Sequence, residues 1–81
     1  MTYEEKMKIL GTLRTAKADV DETYEWNIAS TILRMTKDGF SGEEIDRIAE
    51  YLRQEKADVL EALETRITNF KLANELYTPG N

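Results

Sequence analysis

The chain has 81 residues, a formal net charge of −5 at pH 7, and neither cysteine nor histidine. A chain of this length is expected to form one domain, and the two missing residue types exclude disulfide frameworks, zinc fingers and catalysis by cysteine or histidine. The acidic balance disfavours direct binding to nucleic-acid phosphates, because no basic stripe is present to replace their counterions.

The N-terminal residues, Thr2-Tyr3-Glu4-Glu5 after the methionine, form neither a basic nor an apolar leader region, so we expect no signal peptide. The longest uninterrupted apolar run is two residues, which predicts no membrane span. A cytoplasmic location is the resulting expectation.

The apolar spacing predicts helices throughout, and β-branched residues do not alternate as they would in strands. Helix 1 is predicted over Tyr3–Lys17, with Thr2 as its N-cap and Glu5 completing a capping box. Helix 2 is predicted to follow Asp19, which can serve as a second N-cap. It should end near Gly39, because glycine suits the left-handed conformation that closes many helices.

Helix 3 is predicted to begin after Ser41, whose hydroxyl can form a capping box with Glu44. Helix 4 is predicted over Val59–Tyr77, because Asp58 and Glu61 form a capping pattern and no apolar residue lies between Leu52 and Ala57. The segment Gln54–Asp58 contains no glycine or proline, so one long helix in place of helices 3 and 4 is the alternative. Residues 78–81 are predicted to form a flexible tail.

An internal repeat accompanies these elements. An offset of 39 residues aligns the two halves of the chain and gives 13 identical pairs among the 36 pairs that begin at Tyr3 and Gly42. The longest identical run is Lys-Ala-Asp-Val, at residues 17–20 and 56–59. We interpret the two halves as repeated αα-hairpins over residues 2–38 and 41–77.

Two hairpins of this kind cannot bury their apolar stripes alone, so we expect an all-α domain over residues 1–77 in which they close as a small four-helix bundle. If helices 3 and 4 are continuous, dimerisation along the long helix becomes the natural way to cover its apolar stripe. The sequence leaves open whether closure occurs within one chain or between two.

Helix 2 is apolar on two faces. Trp26, Ala29 and Leu33 lie nearly opposite the stripe that contains Ile28. We expect this second stripe to pack against the other hairpin of the same chain. The alternative is a contact surface for another subunit or protein, in which tryptophan is a favoured residue.

Helix 3 carries three acids at helical spacing, Glu43, Asp46 and Glu50. We interpret them as a solvated face placed favourably near a helix N-terminus, with docking onto a basic protein surface as the functional alternative. No calcium loop is predicted at Gly39, because the alternating Asp and Asn ligands before the glycine are missing. We expect no metal, cofactor or small-molecule substrate.

These observations favour a small, non-enzymatic protein–protein interaction module whose partner is a protein, including itself as a homodimer. An inhibitor or antitoxin-like regulator of phage or mobile-element type, acting through the acidic face of helix 3 on a nucleic-acid-handling protein, is the alternative. A helix-turn-helix DNA binder ranks lower, because helix 3 is acidic where a recognition helix needs basic or amide side chains.

Overall fold

A computed structural model describes residues 1–76, which form two long antiparallel helices and no strand. Helix α1 spans Tyr3–Lys37, with 35 residues, and helix α2 spans Gly42–Ala73, with 32 residues. The resulting hairpin measures 55 × 20 × 17 Å. No helix within residues 1–76 has both the length and the hydropathy that a membrane crossing requires.

The predicted four-helix bundle is therefore wrong: this part of the chain is a two-helix hairpin. The break predicted at Asp19 does not occur, and α1 continues through it. The segment Gln54–Asp58 is also helical, so the continuous helix left open by the sequence is the observed one.

The two helices meet along a seam whose residues recur at intervals of three and four. Four seam residues are buried, namely Leu10, Ile28, Ala49 and Ile67. The other seam residues are only half-buried; they are Lys6, Leu13, Lys17, Val20, Tyr24, Thr31 and Met35 in α1, and Ile45, Leu52, Lys56, Val59, Leu63, Phe70 and Asn74 in α2.

Two lysines interrupt the apolar pattern of this seam. Lys17 and Lys56 occupy seam positions between apolar neighbours, so the apolar pattern alone shows a gap at each of them. Their aliphatic stems can pack along the partner helix while the ammonium groups reach carboxylates at the edge. Because lysine and alanine are also good helix formers, nothing at these points stops the helix.

Both predicted capping boxes are confirmed. The Thr2 hydroxyl accepts a hydrogen bond from the backbone of Glu5, and the Ser41 hydroxyl accepts one from the backbone of Glu44. Gly39 has a φ of +83°, the left-handed conformation predicted to close helix 2, and here it closes α1. The N–H of Phe40 donates to the Met35 carbonyl at 3.1 Å, which completes a Schellman closure and turns the chain toward α2.

The open end of the hairpin closes differently. Helix α2 ends at Ala73, before the predicted Tyr77, and Glu75 takes a left-handed φ of 56°. The Lys6 ammonium lies 3.4 Å from the Asn74 carbonyl, which places a cation at the C-terminus of the opposite helix. The predicted flexible tail at 78–81 lies outside the described residues.

The 39-residue offset relates the two helices to each other and does not relate two hairpins. Every seam position of α2 lies 39 residues after a seam position of α1. Contacts across the seam join residues whose numbers sum to about 80, for example Lys6 with Asn74 and Tyr24 with Glu55. The hairpin therefore has a pseudo-two-fold axis between its helices. Descent of the two helices from a duplicated segment stays a hypothesis.

The turn gives a first prediction. Substituting Gly39→Ala should lower the free energy of unfolding by about 1 kcal/mol, because a β-carbon disfavours a positive φ although it would meet no neighbouring atom. The control is Gly42→Ala in the first turn of α2, where the site is also open and the helix favours alanine. Urea unfolding followed by circular dichroism measures both; equal effects of the two substitutions would contradict this account of the turn.

Candidate interaction surfaces

Ion pairs cross one side of the seam in two equivalent places. Lys17 Nζ lies 2.5 Å from Glu64 Oε2. At the position related by the 39-residue offset, Lys56 contacts Glu25, and its Nζ also lies 2.7 Å from Asp21 Oδ1. The pseudo-two-fold axis therefore repeats the same lysine–glutamate contact, and both copies clamp the middle of the hairpin.

These contacts shift the ionisation of their members in the direction that favours the charged forms. The hydrogen bond from Lys17 lowers the pKa of Glu64 below its ordinary value. Hydrogen bonds to Asp21 and then Glu25 raise the pKa of Lys56. Because these ion pairs lie at the solvent-accessible edge of the seam, they fix the alignment of the two helices more than they add to the free energy of unfolding.

A hydrogen bond from a phenol to a carboxylate crosses the opposite side of the seam. The Tyr24 hydroxyl donates to Glu55 Oε1 at 2.9 Å. The bond holds the phenolic proton and, with some burial, raises the pKa of Tyr24. The shifted pKa values of Tyr24, Lys56 and Glu64 thus all belong to contacts between the two helices.

The residues at the flanks of the seam separate the two long sides of the hairpin. We define the charged flank as the ten residues that directly follow a seam residue on the side of the Lys17–Glu64 ion pair, and seven of them are charged. They are Met7, Arg14, Asp21, Glu25, Ile32, Asp46, Arg53, Leu60, Glu64 and Lys71. We define the low-charge flank as the ten residues that directly precede a seam residue on the side of the Tyr24–Glu55 hydrogen bond, and three of them are charged. They are Ile9, Ala16, Thr23, Asn27, Arg34, Ile48, Glu55, Ala62, Arg66 and Ala73.

The predicted stripe of Trp26, Ala29 and Leu33 is exposed on α1. Trp26 is 69% exposed and Leu33 is 62% exposed. Each lies two residues from the nearest seam positions on either side, which places both nearly opposite α2. The expectation that this stripe packs against a second hairpin of the same chain is wrong, since residues 1–76 contain no second hairpin.

The predicted acidic residues, Glu43, Asp46 and Glu50, are all exposed on the first three turns of α2. Glu43 lies 3.6 Å from Arg47 one turn later. No hydrogen bond or ion pair within residues 1–76 joins these acids to the stripe on α1. No cluster of acidic side chains in that range is placed to hold a metal ion.

The sequence analysis missed other exposed apolar residues near the turn. Tyr51 is 67% exposed, and Phe40 and Ile48 are also exposed. A shallow groove lined by Met35, Phe40 and Ile48 lies between the helices, and a second groove runs from Met35 to Asn27 along α1. By its spacing Ile48 fits an apolar stripe with Ile45 and Leu52, but the seam register shows that it lies beside the core.

Comparison with known protein families, curated proteins and solved structures gave no significant match to this chain. The assignment of a function therefore depends on the geometry of the hairpin.

The exposure of the tryptophan gives a second prediction. Trp26→Ala should change the free energy of unfolding of the dilute chain by less than about 0.5 kcal/mol, because an exposed side chain contributes little to folding. The control Ile28→Ala removes a buried seam residue and should cost about 2–5 kcal/mol. Circular dichroism is the suitable readout, since Trp26 is the only tryptophan. A comparable loss in both variants would place Trp26 in the core.

The ion pair of α1 with α2 gives a third prediction. Lys17→Met should raise the pKa of Glu64 toward its ordinary value, as measured by NMR titration of its carboxyl group. The lowered pKa in the folded state means that the pair stabilises the fold above the pKa of an unfolded glutamate. This contribution is lost as the pH falls through the folded-state pKa.

The wild type should therefore lose more stability on acidification than the Lys17→Met variant. Lys8→Met, which changes an exposed lysine of the same helix, is the control and should leave the titration of Glu64 unchanged. An unchanged Glu64 pKa in Lys17→Met would contradict the assigned cause.

Proposed function

We propose that this chain is a small, non-enzymatic helical interaction module that self-associates. The main support is that the core is incompletely buried. Only four residues of the seam are buried, and the rest, including Leu13, Val20 and Leu63, are half-buried. A two-helix layer leaves such residues uncovered because each helix has a neighbour on one side only.

The accessible surface supports the same proposal. The chain exposes 6297 Å², whereas a compact monomer of 9.4 kDa is expected to expose about 5,000 Å². The excess of roughly 1,300 Å² is larger than the roughly 800 Å² that each partner buries in a standard protein–protein interface. A second protein layer can therefore cover this surface and still leave an ordinary exterior.

The exposed stripe of Trp26, Ala29 and Leu33 supports a protein partner as well. Large apolar side chains at intervals of three and four residues are the usual anchors of a helix that contacts another protein. No charged residue interrupts α1 between Trp26 and Leu33. Desolvating this part of the helix therefore costs little.

Light scattering and thermal unfolding test self-association. At high micromolar concentration the chain should have about twice its mass of 9.4 kDa, and its Tm should rise with concentration because association stabilises the folded form. A mass of one chain at that concentration, together with a Tm that does not change on dilution, would contradict the proposal.

A second candidate is an inhibitor that docks its acidic face onto the basic surface of a nucleic-acid-handling protein. It is favoured by the exposure of Glu43, Asp46 and Glu50, of which only Glu43 has an ion-pair partner within residues 1–76. Reversing the three charges should abolish displacement of nucleic acid from such a protein and its dependence on salt. Displacement that survives the reversal would exclude this function.

A further inference from the structure

The two long sides of the hairpin differ in the desolvation free energy that burying them against another protein would cost. On the charged flank, seven of ten residues would have to lose hydration, and several of them already pair across the seam. On the low-charge flank, apolar and small residues predominate, with Ile9 and Ile48 at equivalent positions and Ala16 and Ala62 toward the middle. A covering layer therefore fits the low-charge flank.

We infer that the low-charge flank is covered by the low-charge flank of a second copy of this chain. This inference rests on the proposed self-association and specifies its surface. A side of about 55 by 20 Å is larger than the roughly 800 Å² that each partner buries in a standard dimer interface. A second copy supplies a surface of the same length, the same shape and the same low charge.

The hairpin geometry fixes the register of this dimer. A two-fold axis parallel to the helices places α1 of one copy over α2 of the other, antiparallel, with the turns at the same end. Because contacts within one hairpin join residues whose numbers sum to about 80, the same rule holds between copies. Under this rule Ala16 of one chain lies opposite position 64 of the other, between Ala62 and Arg66 of its low-charge flank, and Ala16 and Ala62 are the two small residues at this contact.

Charged substitutions at this pair test the surface and the register together. In Ala16→Glu/Ala62→Glu, like charges face each other at both copies of the contact, and the same holds for Ala16→Lys/Ala62→Lys. Each double variant should self-associate about tenfold or more weakly than the wild type, since like charges at an interface are strongly unfavourable. An equimolar mixture of the two should form a mixed dimer, in which both contacts join opposite charges.

The hairpin itself should tolerate these changes. Position 55, which is related to position 16 by the 39-residue offset, already carries a glutamate. The matched controls are Ala18→Glu/Ala57→Glu and Ala18→Lys/Ala57→Lys, because these exposed alanines lie on the opposite side of the helices and produce the same net charges. Their self-association should stay close to that of the wild type.

Sedimentation velocity on the full chain measures all variants, with circular dichroism to verify that each remains helical. Unimpaired dimers of the Ala16/Ala62 variants, equal weakening by the Ala18/Ala57 controls, or a mixture that stays monomeric would each overturn this interface while leaving wild-type self-association intact. A monomeric wild type would instead overturn the proposed function.

Discussion

The structure depends on a single seam between two long helices. Its residues recur at intervals of three and four, which keeps one narrow stripe of each helix in contact with the other over its whole length. Since there are only two helices in residues 1–76, each seam residue is covered from one direction. This is why only four seam residues are buried, namely Leu10, Ile28, Ala49 and Ile67.

The pseudo-two-fold relation between the helices decides how charge is distributed. A lysine within each seam reaches a glutamate of the opposite helix, and the contact recurs as Lys17 with Glu64 and Lys56 with Glu25. Both copies lie on the same side because the axis maps each flank onto the equivalent flank of the other helix. The opposite side, with Tyr24 and Glu55 as its polar contact, carries fewer charges.

Local features near the ends of the helices were predictable from the sequence. The two capping boxes and the left-handed Gly39 depend on side chains and backbone within a few residues of each other, so their sequence signatures are sufficient. A capping signature of the same kind at Asp19 predicted a helix start that does not occur, and the break predicted at Gln54–Asp58 was also wrong. A lysine counts as polar in an apolar pattern, yet its stem packs in a seam when a carboxylate on another helix receives its charge.

For the exposed stripe, too, the sequence shows one property and leaves another to the tertiary structure. The sequence shows that Trp26, Ala29 and Leu33 share a side of α1 away from Ile28, because helical periodicity alone sets that relation. It does not show what covers them, since that depends on how many helices the chain supplies. Ile48 likewise fits a core stripe by spacing, and its position beside the seam follows only from the packing of α2 on α1.

Length, composition and the missing cysteine and histidine by themselves determined an acidic chain without disulfides or imidazole and thiolate chemistry. The apolar period determined that the chain is helical, and the two capping boxes determined where α1 and α2 begin. The tertiary structure alone decided that there are two helices in residues 1–76, that the 39-residue repeat relates single helices, and that one long side is left with little charge. These properties arise from contacts between residues that lie 31 to 68 positions apart in the chain, which no local pattern encodes.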